Sequence, residues 1–284
     1  MNFNVPLPWN AVLKSIASLQ QMPTSEGSAA LSTLPADIRK LSLFSARTNS
    51  ASYLEHVRAT VQDYTDGKIN MATAVMKCQE FLRSVGYAPE TGFPGEPEVP
   101  PAKTLLQNLA SSPRIKLVIK TLATRAQSTA YLSAGMSENS LYAFPCWEFR
   151  RLGFRKSPRG ESGKENDPDW QERWVRSGGT LYDGRMIASK DDDVWDALSD
   201  SAVWPDGLDS DSDPVVYNTG YGRIEVPRRV CIDLGVIDED EDVPAHDVTL
   251  LGQMFGDPDK ATLGQITAKR QALLDALASL GEAA

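Results

Sequence analysis

Apolar residues recur at every third or fourth position through much of the first half of the chain, which is the spacing of amphipathic helices. This pattern predicts helices over residues 9–22, 49–66 and 70–85, each closed by glycine or by helix-breaking residues. Residues 102–135 continue the pattern as two further helices. Pro113 then falls in the first turn of the second one, where its missing N–H costs nothing.

The pattern changes after residue 141, where short apolar runs alternate with glycines and prolines. Residues 180–189 (TLYDGRMIAS) have a central Asp-Gly pair and predict a β-hairpin. Residues 215–226 predict two short strands around Asn-Thr-Gly, and residues 230–237 a short helix. An apolar stripe over residues 261–280 predicts a last helix.

The predicted fold is therefore α+β, with a helical N-terminal part followed by a mixed α+β domain containing short antiparallel hairpins and a C-terminal helix. Ten residues between the two parts hold four prolines and two glycines, a composition typical of an extended linker. We predict four segments: a helical region at 1–91, the linker at 92–101, a long helix with the α+β domain at 102–237, and an acidic segment with the last helix at 238–284.

Composition narrows the class of protein. With 284 residues, 41% of them hydrophobic, the chain can bury a substantial core. It has no run of eighteen apolar residues and no secretory leader pattern, so we expect synthesis in the cytoplasm and no membrane partner. Its three cysteines are far apart in the sequence, which favours reduced thiols over a disulfide framework or a zinc site.

The net charge of −9 is concentrated in one region. Residues 205–259 hold eleven aspartates and three glutamates against three arginines, a net charge of −11. The remainder of the chain is slightly basic. The overall acidity therefore does not exclude a DNA-binding or partner-binding surface elsewhere.

Catalytic patterns are sparse. The only histidines are His56, in a predicted helix, and His246, in the acidic segment, and neither has a recognisable catalytic partner. The chain has neither of the glycine-rich phosphate-binding motifs. We therefore predict no catalytic residue and no cofactor.

Two aspartate clusters are weak metal candidates. Residues 209–213 begin like a calcium loop, but Pro214 replaces the required glycine and Gly220 the required glutamate, so we predict an exposed acidic loop. Asp191 and Asp193 flank a third aspartate just before an apolar pair. That arrangement favours the acidic first turn of a helix over a divalent-ion site.

One stretch, FPCWEFRRLGFRKSPRGE at residues 144–161, combines aromatic and basic side chains. The basic residues are candidates for contact with nucleic acid or a partner: Arg150, Arg151, Arg155, Lys156 and Arg159. The alternative is that they pair with Glu148, Glu161 and the acidic region. We assign the large aromatic residues of this part of the chain to the domain core: Phe144, Trp147, Phe149, Trp170, Trp174 and Trp195.

Short aromatic-rich motifs follow one another through the second half of the chain: FPCWEFRR (144–151), PDWQERW (168–174), GG (178–179), DGRMIASKDDDVWDALSD (183–200), YNTGYG (217–222) and LGVI (234–237). In this order they resemble the C-terminal half of the phage Mu F-like minor head proteins, the head-morphogenesis proteins of prophages. LFSARTNSASYLEHVRATVQDYTDGK, at residues 43–68, is similar to the opening helical segment of that family.

The resemblance implies a non-enzymatic minor capsid protein. Its partners would be portal or capsid proteins, with packaged DNA as a further contact, within a larger assembly. It would occupy the host cytoplasm during assembly and then the virion, in the capsid interior or near the portal. Better-known members carry a polar Asp-x-Arg-Thr-Arg-Pro-x-His motif after the long helix. This chain has CWEFRR at about that place, without a histidine, which indicates a divergent branch.

Two other classes stay open from the residues alone. The first is a metal-dependent nuclease or hydrolase that uses Asp191, Asp192 or Asp193. The second is a DNA-binding accessory protein that uses Arg150, Arg151 and neighbouring basic residues.

Overall fold

The computed structural model describes residues 20–25, 42–43, 45–96, 99–152, 169–210, 212–216 and 219–245. These residues form seven helices, one four-stranded antiparallel sheet and one pair of short strands, with the longer helices first. The predicted α+β class is confirmed. No helix in the described ranges combines the length and apolar character that crossing a bilayer requires.

Two helices form the predicted helical hairpin. Helix α1 (Ala51–Thr65) begins at Ser50, whose side chain accepts a hydrogen bond from the backbone N–H of Tyr53. Helix α2 (Met71–Ser84) begins at Asn70, which accepts from the N–H of Thr73 in the same way. Each cap satisfies one of the free N–H groups of a helix start, which explains where both helices begin.

Helix α3 (Ser112–Gly135) has Ser111 as its cap and Pro113 in its first turn, as predicted. Its first five turns pack against α1 and α2, and its last turn reaches the core of the sheet domain. The helical core is made of these buried residues: Tyr53, Val57, Val61, Ala74, Val75, Cys78, Leu82, Phe93, Leu109, Ile115, Ile119, Ala123, Ala126 and Ala130.

The helix predicted at the start of residues 102–135 is wrong, because residues 104–111 form turns. Local side-chain bonds replace the helical ones: the Ser111 hydroxyl donates to the carbonyl of Leu105, and the N–H of Leu109 donates to the Tyr87 hydroxyl. Leu109 is buried, whereas Leu105 is 65% exposed. The helical spacing of leucines in this segment therefore does not correspond to a helix. Leu109 packs in the helical core, and Leu105 does not.

The N-terminal and C-terminal predictions fall mostly outside the described residues. Strand β1 (Gln20–Gln21) pairs in parallel with β2 (Ser42–Leu43). The helix predicted over residues 9–22 therefore cannot extend to its predicted end, and its remainder lies outside the described ranges. The helix predicted at 261–280 also lies outside them.

The described part of the predicted linker, residues 92–96 and 99–101, contacts the helical core through Phe93. Phe93 is buried, with its ring centroid 5.8 Å from that of Tyr53 and 5.0 Å from that of Tyr87. Val99 is also buried. Phe93 and Val99, together with hydrogen bonds from Arg47 to the carbonyls of Pro100 and Pro101, hold this segment in place.

The main sheet has the strand order β4-β5-β3-β6 and all its pairings are antiparallel. The strands are β3 (Cys146–Arg151), β4 (Leu181–Tyr182), β5 (Arg185–Ser189) and β6 (Tyr221–Val226). The predicted β4–β5 hairpin is confirmed: Asp183 and Gly184 both have positive φ angles, 51° and 73°, as a type I′ turn requires.

The second predicted strand pair is only half correct. Residues 215–226 contribute one strand, β6, because Val216 forms an isolated bridge with Gly207 instead of pairing with β6. Four short helices surround the sheet: α4 (Glu138–Ala143), α5 (Trp170–Arg176), α6 (Val194–Ala197) and α7 (Arg228–Asp233). Helix α7 begins before the predicted 230 and ends at Asp233, two residues before Gly235 turns at a φ of 71°.

We predict that Leu109→Ala lowers the free energy of unfolding by about 2–5 kcal/mol, because it leaves a cavity in the helical core. Leu105→Ala is the matched control in the same segment and should change it by less than about 0.5 kcal/mol. Urea titration of both variants measures the difference. Equal losses would mean that residues 104–111 bury both leucines, as a helix would.

Candidate functional site

Alternation along β3 divides the motif CWEFRR between two faces of the sheet. Trp147 and Phe149 point to one face, which we call the tryptophan face, and Cys146 and Glu148 point to the other, the cysteine face. Pairing places Glu225 opposite Trp147 and Arg223 opposite Phe149 on the tryptophan face. Both faces are covered, and each has its own buried core.

The tryptophan face carries an aromatic cluster. The Trp195 ring meets Trp147 and Trp174 edge-on, with centroids 5.6 Å and 5.2 Å apart, and Phe149 lies 5.3 Å from Trp170. All five of these side chains are buried, as predicted. The cluster joins β3, α5 and α6 in one core.

Phe144 is the exception among the predicted core residues, because its side chain is only half-buried. It is the C-cap residue of α4, with φ −138° and ψ 70°, and it precedes Pro145. It therefore lies outside the register of β3, and the alternation that buries Trp147 and Phe149 does not extend to it.

Arg223 places a buried guanidinium among the indole rings. Its Cζ atom lies 5.0 Å from the centroid of Trp195 and 5.5 Å from that of Trp147. Its Nε lies 3.7 Å from Oδ1 of Asp213, and its backbone N–H donates to Oδ2 of Asp213 at 2.8 Å. Burial raises the pKa of Asp213, and the Arg223 charge acts in the opposite direction.

Lys190 forms a second buried ion pair beside Trp147. Its Nζ donates to the carbonyl of Gly135 at 2.7 Å and to Oε1 of Glu225 at 3.0 Å, and lies 5.5 Å from the Trp147 centroid. Burial lowers the pKa of Lys190, while Glu225 opposes this shift. A Cβ at Gly135 would lie 3.1 Å from Oε1 of Glu225 and 3.2 Å from Nζ of Lys190, so a larger residue there would displace this pair by a few tenths of an ångström.

Arg173, on α5, is the third buried cation. It donates to the carbonyl of Leu198 and, at 2.8 Å, to Oδ1 of Asp206. Its Cζ atom lies 4.7 Å from the Trp204 centroid and 5.3 Å from that of Trp170. Each of the three buried cations thus combines a carboxylate partner with an aromatic ring, an arrangement that satisfies a desolvated charge.

The acidic loop predicted to be exposed at residues 209–213 is instead buried wherever the structure describes it, a correction to the sequence analysis. Asp209 accepts from the N–H of Ser201 at 2.7 Å, and Ser199 exchanges hydrogen bonds with the backbone of Ser210. The N–H of Asp213 donates to Ser128 on α3. The short polar side chains therefore hold the loop inside the fold, with Asp213 as the counter-ion of Arg223.

The aspartates at 191–193 directly precede a helix and do not form its first turn, whose acidic residue is Asp196. Asp191 accepts from the Ser189 hydroxyl at 2.5 Å, Asp192 accepts from the N–H of Val194 at 2.8 Å, and Asp193 is the N-cap of α6. In the part of the chain that the structure describes, no group of three His, Cys, Asp or Glu side chains is arranged to hold a metal ion.

The predicted basic strip is divided by the strand geometry. Arg150 is exposed, whereas Arg151 is half-buried with its Cζ 4.8 Å from the Tyr221 ring. Glu148, considered from the sequence as a partner of this strip, binds Arg185 through two hydrogen bonds of 3.1 Å and 2.8 Å. The remaining members of the strip lie outside the described ranges: Arg155, Lys156 and Arg159.

His56 has a packing role. Its ring stacks on Phe81 with centroids 4.4 Å apart, and burial lowers its pKa. The second histidine, His246, lies outside the described residues.

Sequence reasoning missed the ion pairs of the tryptophan face. In β6, Tyr221, Arg223 and Glu225 occupy alternate positions, and polar residues at this spacing usually indicate the solvent-exposed face of a strand. Lys190 directly precedes three aspartates and has the composition of a charged turn. Arg173 is the one buried cation that the sequence could have indicated, because it lies between two tryptophans four residues apart on the same helix.

The described residues define an α+β protein in which buried ion pairs and tryptophans join an antiparallel sheet to its surrounding helices. Comparison of the chain with protein-family models, with curated proteins and with solved structures gave no match.

We predict that Lys190→Met lowers the free energy of unfolding by about 3 kcal/mol, because Glu225 and the carbonyl of Gly135 lose their cation inside the fold. Arg229→Met is the control, since Arg229 forms an exposed pair with Asp233. The control substitution should lower the free energy of unfolding by less than about 0.5 kcal/mol. Chemical denaturation compares the two, and a loss for Lys190→Met no larger than that of the control would contradict the assignment.

Proposed function

We propose that this protein is a structural component of a phage virion, a minor capsid or head-morphogenesis protein that binds portal or inner-capsid proteins. The observation that carries the proposal is the ordered set of aromatic motifs between residues 144 and 237. They resemble the minor head proteins in order, and in this chain they build one domain: β3, α5, the β4–β5 hairpin with α6, and β6.

The chemistry of that domain supports a structural role. Arg173, Lys190 and Arg223 are buried, and each has a carboxylate and an aromatic partner; the carboxylate is buried for Arg223, partly exposed for Lys190 and exposed for Arg173. Their charges are used to fasten helices to the sheet, and they are withdrawn from solvent and from any bound molecule. Buried cations that have all their partners within the chain stabilise one conformation of the domain. A component of a large assembly requires such a fixed shape.

The distribution of surface charge indicates which partners fit. Helix α3 contains four basic residues and no acidic one, and Lys116 and Lys120 are exposed on it. Arg150 adds an exposed cation at the sheet. The exposed acidic run at 238–242 would be repelled by DNA, so we assign it to solvent or to a protein partner and leave DNA as a secondary contact of the basic surfaces.

Mass spectrometry of purified particles tests the proposal. We expect the chain at a few copies per particle, both in proheads that contain no DNA and in mature virions, because protein contacts should hold it independently of the genome. Particles treated with nuclease and high salt should retain it. Absence of the chain from both proheads and virions would overturn the proposal, and presence only in DNA-filled particles would replace portal or capsid docking with DNA binding.

A further inference from the structure

Two of the three cysteines converge on the cysteine face of the sheet. Cys146, in β3, is paired across the sheet with Val226 in β6, so their side chains are neighbours on that face. Helix α7 begins directly after Val226, at Pro227, and brings Cys231 back over the same position. Both cysteines belong to one small buried cluster with Ile187, Val226 and Ile237.

The two thiols contact each other within that cluster. Sγ of Cys231 lies 3.6 Å from the carbonyl oxygen of Val226, the residue paired with Cys146, so both cysteines pack against the same position of β6. Both residues are free thiols and are fully buried. The third cysteine, Cys78, belongs to the helical core and does not share this cluster.

The contact makes the two sulfurs chemically unequal. The hydrogen bond with Cys146 lowers the pKa of Cys231, with a further contribution from the charge of Arg228, although burial opposes the shift. The same hydrogen bond, together with burial, raises the pKa of Cys146. Cys231 is therefore the more acidic thiol of the pair, and the one that we expect to react first.

We propose that Cys146 and Cys231 form a redox modification site that hydrogen peroxide converts into an intrachain disulfide. The Cys231 thiolate attacks one peroxide oxygen, breaks the O–O bond and becomes a sulfenic acid, and the released hydroxide takes up a proton to leave as water. The Cys146 sulfur then attacks the Cys231 sulfur, forms the S–S bond and displaces a second water. Two electrons pass from the thiols to the peroxide, and a thiol reductant reverses the change.

The disulfide would fasten α7 to the central strand of the sheet. It closes the chain between residues 146 and 231, which contains α5, the β4–β5 hairpin, α6 and β6. Closing a loop of this length restricts the unfolded chain and so raises the stability of the folded one. The inference does not depend on the proposed function, because it rests only on the two thiols and their surroundings.

Thiol counting and peptide mapping test the site in the full-length wild-type chain. The reduced, folded protein is exposed to a small excess of hydrogen peroxide, quenched, denatured and alkylated. We expect free thiols to fall from three to one, a peptide linking Cys146 to Cys231, a rise in Tm of several degrees, and restoration of all three thiols by dithiothreitol. Three free thiols after oxidation, or a disulfide that includes Cys78, would overturn the proposal.

Two controls separate the folded geometry from general thiol reactivity. Cys78→Ser should still form the disulfide, whereas wild-type chain oxidised in urea should give mixed pairings that include Cys78. Identical pairings in the folded and urea-treated samples would count against a site built by the fold. The wild-type peptide map decides the outcome even where a cysteine variant fails to fold.

Discussion

The guanidinium of Arg223 is buried against the rings of both Trp147 and Trp195, and this contact constrains the whole sheet domain. A charge removed from water is tolerated only when rings and a counter-ion surround it, so β6, β3, α6 and the loop carrying Asp213 must be in place together. Lys190, whose Nζ lies 5.5 Å from the Trp147 centroid, imposes the same condition, because Glu225 and the carbonyl of Gly135 bind its ammonium group. Helix α3 is thereby fixed to the sheet at its last residue, and because its earlier turns pack with α1 and α2, it links both cores.

Local patterns were enough to predict the elements whose signals are local. Ser50 and Asn70 cap helices, Pro113 opens α3, and Asp183-Gly184 forms the hairpin turn, each for a reason that lies within a few residues. The ion pairs could not be predicted in this way, because their partners are brought together by the fold. Glu225 binds Lys190, 35 positions away, and Asp213 binds Arg223 of strand β6. For the same reason the loop at 209–213 was predicted as exposed: its burial depends on Ser128, 85 positions away on α3. Leu105, four positions before Leu109, shows the converse, because an apolar residue can lie at helical spacing in a segment that side-chain bonds keep in turns.

This arrangement changes the meaning of the stretch at residues 144–161. Its aromatic and basic composition is compatible with an active site or a nucleic-acid contact, yet in the described part Trp147 and Phe149 are core residues and Glu148 forms a salt bridge with Arg185. Of the two basic residues of this stretch that the structure describes, Arg150 is exposed and Arg151 is half-buried. The motifs that resemble those of phage minor head proteins are therefore the residues that assemble the domain, which is why we propose a structural function. On the cysteine face of the same strand, opposite Trp147 and Phe149, the proposed disulfide between Cys146 and Cys231 would give the domain a response to oxidation.

The central claim is that the buried ion pairs make the sheet and its helices one cooperative unit. Native-state hydrogen exchange of the backbone amides measures this most directly, because it gives an opening free energy for each element. We predict that the amides of β3, β6 and the last turn of α3 exchange only through global unfolding, with one common free energy, and that Lys190→Met lowers that value for all three elements together. Exchange of β6 or the end of α3 at a much lower free energy than β3 would contradict the account.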